Sequence, residues 1–211
     1  MSGFKIGTGE KIALIGDSIT DCGRRIESPP LGMGYVSIAA DLVTAKYPDR
    51  KIEWVNKGIN GDVVQGLVSR WTEDIVDEKP DWVSIAIGIN DVYRDQLSGR
   101  QLEDSLKRYE DSYRDVLERT RRETHARIVV FDIFYVSDED QSLNIHNVDK
   151  YNKVIQRLAS EYSAILVPLQ SAFRHAKSKR PSQSWTIGDG VHPSQVGHTL
   201  IALTFLESMG F

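Results

Sequence analysis

Short apolar runs alternate along the chain with longer segments in which apolar residues recur every three or four positions. The short runs are rich in valine and isoleucine and show little polar alternation, as expected of strands covered on both faces. They predict strands at Lys11–Gly16, Lys51–Asn56, Asp81–Gly88, Arg127–Phe134 and Ala164–Pro168. The longer segments predict helices at Tyr35–Tyr47, Val63–Lys79, Leu102–Thr124 and Val148–Tyr162, and a last helix from about Ser194 to Met209.

This alternation predicts an α/β fold, a three-layer α/β/α sandwich around a parallel sheet of about five strands. The 211 residues contain no internal repeat or Ser/Gly linker, so we expect one domain over residues 1–211. Ligands of such sheets bind at the carboxyl ends of the strands. Three polar, glycine-containing segments follow predicted strands and a fourth lies near the C-terminus: Gly16–Asp21, Asn56–Asp62, Gly88–Asp91 and Gly188–Pro193.

Composition narrows the classes of function. The formal net charge is −4 and both signs are mixed along the chain, which argues against nucleic acid as the main partner. No stretch approaches the roughly 18 apolar residues of a membrane-spanning helix, so we expect no membrane partner. The first apolar run, Ile12–Ile15, is too short for a signal-peptide core. The single cysteine, Cys22, cannot form an intramolecular disulfide, and we expect a cytoplasmic protein.

The polar segments contain the residue types of a serine nucleophile and its base. Ser18 opens a helix-like turn, where a serine is either an N-cap or a nucleophile. Asp189 precedes His192 by three positions, so its carboxylate can reach Nδ1 and hold the ring as a base. Gly61 and Asn90 are either turn residues or donors to a developing oxyanion. Each structural interpretation is the commoner one singly, but the combination favours acyl transfer.

These residues carry a resemblance to a known family. Gly16-Asp17-Ser18, Gly61, Gly88-Ile89-Asn90-Asp91 and Asp189-Gly190-Val191-His192-Pro193 resemble the four sequence blocks of the SGNH, or GDSL, hydrolases, in that order and across essentially the whole chain. The resemblance implies a flavodoxin-like SGNH fold with Ser18 as nucleophile, His192 as base and Asp189 as its partner. It further implies an oxyanion hole formed by Ser18, Gly61 and Asn90, and we expect neither a cofactor nor a metal. Ile19 replaces the leucine of the family name, a volume-conserving change.

Longer stretches point to a subgroup. Lys11–Arg24, Trp54–Gly61 and Lys79–Arg94 are similar to intracellular acetylxylan esterases of this family. The similarity implies a homo-oligomer that removes acetyl groups from O-acetylated sugars or xylo-oligosaccharides. We expect Trp185, near the catalytic residues, to stack on the sugar. Tyr93 and Arg94, just beyond the oxyanion segment, are either sugar-binding residues or an ordinary solvated helix start.

Three alternatives remain open at this point. A metal-dependent phosphohydrolase could hold Mg²⁺ on carboxylates at the strand exits, although the chain lacks both an Asp-x-Asp motif at Asp17 and a Walker loop. Such an enzyme would lose activity in EDTA, whereas a serine esterase would not. A non-catalytic carbohydrate-binding module would bind sugars on its tryptophans without turnover. A broad-specificity esterase or lipase would prefer longer acyl esters, although no apolar lid is evident in the sequence.

Overall fold

The structure, a computed structural model, describes residues 3–136 and 145–211. Five parallel strands form one sheet in the order β2-β1-β3-β4-β5. The strands are β1 (Lys11–Gly16), β2 (Glu53–Gly58), β3 (Trp82–Ala86), β4 (Arg127–Phe131) and β5 (Ile165–Val167). The predicted parallel sheet of about five strands is therefore confirmed.

Helices connect the strands and cover the sheet. They are α1 (Ser18–Asp21), α2 (Tyr35–Lys46), α3 (Val64–Trp71), α4 (Ile89–Ser98), α5 (Leu102–Glu123), α6 (Val148–Glu161), α7 (Leu169–Lys179) and α8 (Gln195–Ser208). Helix α3 continues directly into a π-helical turn at Thr72–Val76. Within the described residues, no helix combines the length and the apolar character that crossing a bilayer requires.

The two faces of the sheet bury separate apolar clusters. Ala13 and Ile15 of β1 pack into a cluster with residues of α3, α5 and α6. Ile12 and Leu14 of the same strand point to the opposite face and pack with residues of α2, α7 and α8. Both faces of the strands are thus covered, which explains the unalternated apolar runs and confirms the three-layer architecture.

Some element boundaries differ from the predictions. Strand β2 lies two residues further along than predicted, because Lys51 contacts the segment before β1: its N–H donates to Thr8 Oγ1 at 3.1 Å and its carbonyl accepts the N–H of Gly9 at 2.7 Å. Helix α7 was not predicted, and for α4 the sequence offered only a helix start at Tyr93 and Arg94 as one of two interpretations. Helix α4 begins earlier, at Ile89, just before an Asn-Asp pair that is typical of a turn, and α7 buries too few apolar side chains to give a helical pattern.

Candidate active site

The position of Ser18 is set by the first strand and the short helix after it. Asp17 caps α1, its carboxylate accepting the N–H of Ile19 at 3.0 Å, and Ser18 is the first helical residue. Helix α1 lies across the ends of β1 and β2, where a Cβ on Gly58 would stand 2.2 Å from the backbone nitrogen of Asp21. A glycine at residue 58 is what allows this helix to approach the sheet closely enough to present Ser18 at its carboxyl edge.

His192 and Asp189 meet Ser18 in a relay of hydrogen bonds. Asp189 Oδ2 lies 2.6 Å from His192 Nδ1, and His192 Nε2 lies 3.0 Å from Ser18 Oγ. An ionised carboxylate can only accept, so Nδ1 carries the ring proton and Nε2 presents a lone pair to the hydroxyl of Ser18. The arrangement is that of a serine nucleophile with a base and an orienting acid.

The carboxylate of Asp189 is kept ionised by its surroundings. Burial by itself would raise the pKa of Asp189, but hydrogen bonds from the His192 ring and from backbone N–H groups outweigh it and the pKa lies below its usual value. Oδ1 accepts the N–H of Val191 at 2.9 Å and that of His192 at 2.8 Å. The carboxylate is therefore oriented by the same short loop that carries the base.

This loop is anchored at its centre. Thr186 Oγ1 accepts the N–H of Gly190 at 3.1 Å, and Thr186 forms an isolated antiparallel bridge with Pro193. On the other side, the N–H of Val136 donates to the carbonyl of Gly190 at 2.9 Å. The loop is consequently folded back on itself and also attached to the segment that leaves β4.

The three predicted oxyanion donors lie at the ends of adjacent strands. The register pairs Gly16 of β1 with Gly58 of β2 and with Ala86 of β3, so Ser18, Gly61 and Asn90 follow strand ends at one edge of the sheet. Because the first N–H groups of a helix have no partner within it, the N–H of Ser18 is available to a substrate oxygen.

Gly61 and Asn90 are connected through Asp62, the residue that directly follows Gly61. Gly61 has φ +73°, a conformation that favours glycine, in a turn closed by the N–H of Asp62 donating to the carbonyl of Ile59 at 3.2 Å. The amide nitrogen of Asn90 donates to the carbonyl of Asp62 at 3.0 Å. This bond uses one of the two amide hydrogens, and the other remains as a donor for a substrate oxygen.

Two buried carboxyl groups lie directly beside the site residues. Burial raises the pKa of Asp17 to about 7, although the N–H of Ile19 and the nearby His192 oppose the shift. Burial also raises the pKa of Asp91 to about 8, in part offset by the N–H of Val64, which both carboxylate oxygens accept at 3.2 Å. Asp17 caps α1 and Asp91 accepts the N–H of the first residue of α3, and neither contacts Ser18 or His192 in the hydrogen-bond network of the described residues.

The three predicted sugar-binding residues have different positions. Arg94 is exposed and its Nη2 donates to the carbonyl of Gly61 at 2.6 Å. Tyr93 is half-buried and packs against the α5 face of the sheet. Trp185 is only 9% exposed and belongs to the apolar cluster of α2, α7 and α8, so its ring offers little surface for stacking on a sugar.

Sequence reasoning missed the side chains that support the oxyanion donors. Arg70 and Asp62 form an ion pair beneath Gly61, and Arg94 contacts Gly61 from the exposed side. Arg70 is the single charged residue of α3, and nothing in its neighbouring sequence relates it to Gly61, so no local signal distinguishes it. In the parts of the chain that the structure describes, no three His, Cys, Asp or Glu side chains are grouped so that they could hold a metal ion.

Comparisons with known proteins agree with this geometry. The family model of the GDSL-like lipase/acylhydrolase family matches residues 14–200. An acetylxylan esterase from Geobacillus stearothermophilus is 41% identical over 99% of this chain and 97% of its own length. The crystal structure of that organism's acetylxylan esterase Axe2 has a TM-score of 0.85 at 38% identity, covering 98% of this chain and 97% of the other. LAE5, an α/β hydrolase from the metagenome of Lake Arreo, Spain, has a TM-score of 0.84 at 29% identity, with 99% and 98% covered.

Further solved structures of Axe2 are described as catalytic mutants. In these a serine, an aspartate or a histidine is replaced by alanine, and the aspartate and histidine are three positions apart. The same residue types, with the same spacing between Asp189 and His192, form the relay described above.

Proposed function

The chain belongs to the GDSL-like lipase/acylhydrolase family and is a carboxylic ester hydrolase, and we propose that it removes acetyl groups from O-acetylated sugars or short xylo-oligosaccharides through an acyl-serine intermediate. The observation that carries the proposal is the relay from Ser18 through His192 to Asp189, with contacts of 3.0 and 2.6 Å. Family membership favours ester hydrolysis over phosphate hydrolysis and over sugar binding without turnover.

The reaction starts with transfer of the Ser18 proton to His192 Nε2 while Oγ bonds to the acetyl carbonyl carbon. The carbonyl oxygen becomes negative and accepts from the N–H groups of Ser18 and Gly61 and from the amide of Asn90. Collapse of this intermediate breaks the bond to the sugar oxygen, which takes the proton back from His192. Water then attacks in the same way: His192 removes one proton, the resulting hydroxide adds to the acetyl-serine, and the intermediate collapses as His192 returns that proton to Ser18 Oγ. Acetic acid leaves and releases its proton to the solvent as acetate.

A small cavity lies next to the segments of Ser18 and Asn90. Its volume is about 30 Å³, and its lining includes Ile19, Ile87 and Ile89 but also Asp17 and Asp132, and neither Ser18 nor His192. The preference for acetyl over longer acyl esters therefore follows from the similarity to an acetylxylan esterase and not from this cavity.

A polar cavity beside the oxyanion donors supports a carbohydrate as the alcohol portion. Its volume is about 280 Å³, and it is lined near Gly61 by Val63, Gln65 and Arg94 and further out by Arg100 and Arg108. Arginine and amide groups donate hydrogen bonds to sugar hydroxyls, although Arg100 and Arg108 also pair with Asp95, which lines the same cavity. Arg94 remains a candidate sugar contact, and Tyr93 remains one on its position alone.

The first experiment combines the nucleophile with a series of acyl lengths. Ser18→Ala is expected to lower kcat by several orders of magnitude without changing the fold, as loss of a triad member does. In the wild type, p-nitrophenyl acetate should be hydrolysed faster than the butyrate ester, because each methylene that is not accommodated costs on the order of 1–3 kcal/mol. Turnover of acetylated xylo-oligomers should exceed that of octanoyl esters.

Two outcomes would contradict the proposal. A Ser18→Ala protein with near-native esterase rate would exclude the acyl-serine mechanism. Faster hydrolysis of octanoyl than of acetyl esters would replace the carbohydrate substrate by a lipid-like one. The cytoplasmic location and the homo-oligomeric state that the resemblance implies stay predictions, which fractionation of the native cells and sedimentation of the purified protein would check.

A further inference from the structure

Asp62 connects both predicted oxyanion donors that lie outside α1. It directly follows Gly61, and its carbonyl accepts the side-chain amide of Asn90 at 3.0 Å. Its own N–H closes the turn with the carbonyl of Ile59 at 3.2 Å, and its Oδ1 accepts the N–H of Val63 at 2.9 Å. A displacement of Asp62 therefore moves the peptide next to Gly61 and the amide of Asn90 together.

Arg70 holds Asp62 against the ends of two strands. Its Nε donates to Asp62 Oδ2 at 2.9 Å and its Nη1 to the carbonyl of Lys57 in β2 at 2.7 Å. Its Nη2 donates to the carbonyl of Gly16, the last residue of β1, at 3.3 Å. A further ion pair joins Arg70 to Asp74. One guanidinium thus links the strand that leads to Ser18 with the turn that carries Gly61.

The hydrogen bonds that connect Asp62 to β1 and β2 require an arginine at position 70. The side chains of Arg70 and Asp62 are only 14% and 13% exposed, so water does not easily replace their bonds. A planar guanidinium supplies five donors in fixed directions, whereas the ammonium of lysine is a single flexible charge. On the exposed side, Arg94 fixes the carbonyl of Gly61 at 2.6 Å, so the turn is held from two directions.

We propose that Arg70, acting through Asp62, is a positioning residue that aligns the donors at Gly61 and Asn90 with Ser18, and that Arg94 assists from outside. The inference rests on the proposed function, since it assigns a role within that same reaction. Oxyanion donors contribute only when they already point to where the charge develops. A displacement of about 1 Å at such a site costs on the order of 100-fold in rate. Loss of the link lowers kcat and leaves substrate binding nearly unchanged.

The test compares Arg70→Lys and Asp62→Asn with a matched control, Arg119→Lys. Arg119 is 16% exposed and donates to the carbonyl of Val68 at 3.1 Å and to Thr72 Oγ1 at 2.6 Å, but it contacts no site residue. With p-nitrophenyl acetate, Arg70→Lys and Asp62→Asn (the link variants) are both expected to lose roughly 10- to 100-fold in kcat, while KM stays within about twofold of the wild-type value. Arg119→Lys should lower Tm by an amount comparable to that in Arg70→Lys and Asp62→Asn, and it should keep its kcat.

A transition-state analogue separates positioning from a merely structural role. Methylboronic acid forms a tetrahedral adduct as Ser18 Oγ bonds to boron and the serine proton moves to His192, and the adduct's oxygen occupies the oxyanion site. In the link variants the inhibition constant should rise by the same factor as kcat/KM falls, and the pH midpoint of kcat/KM should stay that of the wild type. In Arg94→Met, at an exposed position, the rise in the inhibition constant and the fall in kcat/KM should both be smaller than in the link variants. Arg94→Lys should restore part of the lost kcat/KM.

Three results would overturn the inference. Unchanged kcat in a folded Arg70→Lys or Asp62→Asn protein would make the pair purely structural. A lowered kcat with unchanged inhibition by the boronate would place the effect outside the oxyanion site. A rise in KM for acetylated xylo-oligomers without loss of kcat in Arg94→Met would assign Arg94 to sugar binding instead. The first and third results do not depend on whether Ser18 is the nucleophile, whereas the boronate result does, and Ser18→Ala tests that role separately.

Discussion

The loop that carries Asp189 and His192 and the turn that carries Gly61 are held in opposite ways. Asp189 makes its contacts with Val191 and His192, at most three residues away. Gly61 and its neighbours are held by Arg94, 33 residues away, and by Asp21, whose Oδ2 accepts the N–H of Asn60 at 3.2 Å across 39 residues. The pairing of the acid with the base is therefore encoded locally, although His192 meets Ser18 across 174 residues and the loop is attached to Val136. The charge-stabilising half depends on contacts between distant segments for the support of its turn.

The largest loss of activity is expected for Asp189, because its contact with the ring of His192 orients the base. Asp189→Asn removes the charged acceptor of the Nδ1 proton, so His192 can adopt the wrong tautomer and the imidazolium loses its partner. We expect a loss of about 10⁴-fold in kcat, the magnitude known for this change in a triad. Steady-state kinetics with p-nitrophenyl acetate measures it. Asp149→Asn, at an exposed ion pair with Arg174, is the control that should keep full activity.

A small loss in Asp189→Asn would contradict this view of the loop. It would mean that a group from outside the loop, such as another carboxylate or a backbone carbonyl, orients the histidine. The acid–base half would then resemble the oxyanion half in depending on distant parts of the chain.

A smaller loss is expected on the oxyanion side, because several donors share the charge. Asn90→Ala removes one donor and the bond to the carbonyl of Asp62. We expect a loss of about 10²–10³-fold in kcat, with little change in KM, as for other oxyanion donors. Leu97→Ala, at a position on the same helix that is 67% exposed, should leave kcat unchanged. If only KM changed in Asn90→Ala, Asn90 would bind the ground-state substrate and would not be an oxyanion donor.

The same contrast explains which features the sequence could predict. The spacing of Asp189 and His192 predicts their contact, because three residues around Gly190 bring the two side chains together. The strands could be predicted because burial on both faces leaves an unbroken apolar run, as in Ile12–Ile15. Both signals are contained within a few neighbouring residues.

The support of the oxyanion turn could not be predicted in this way. Arg70 acts on Gly16, Lys57 and Asp62 through contacts that exist only once the strands are paired. The burial of Trp185 was equally hidden, since it belongs to an apolar cluster that is completed by residues of α2, α7 and α8. A tryptophan close to catalytic residues in sequence therefore gave a prediction that its 9% exposure does not favour.

The two halves also differ in how pH acts on stability, and this gives the smallest predicted effect. Asp189 has a lowered pKa, so its contribution to stability is present above the ordinary carboxyl range and is lost as pH falls through its folded value. Asp91 has the opposite shift: burial raises its pKa from 3.8 to about 8. Between these two pH values the folded protein retains a proton that the unfolded chain has released. The free energy of unfolding therefore decreases as pH rises, by up to about 1.4 kcal/mol per pH unit.

Asp91→Asn should remove this dependence while keeping an oxygen that can accept the N–H of Val64. We expect the fall in Tm between pH 6 and pH 8 to be smaller than in the wild type, by roughly 2–4 °C for each kcal/mol recovered. The residual slope should reflect Asp17 and Asp132, whose pKa values burial raises to about 7 and about 6, and an opposing contribution near pH 6 from His198, whose pKa burial lowers to about 4. Scanning calorimetry at fixed ionic strength measures the two slopes, and Leu97→Ala, which changes no titratable group, serves as the control that should keep the wild-type slope over this interval. Equal slopes in the wild type and Asp91→Asn would mean that Asp91 is ionised in the folded protein at pH 6, and its burial beside the oxyanion donors would then have to be balanced by a positive group.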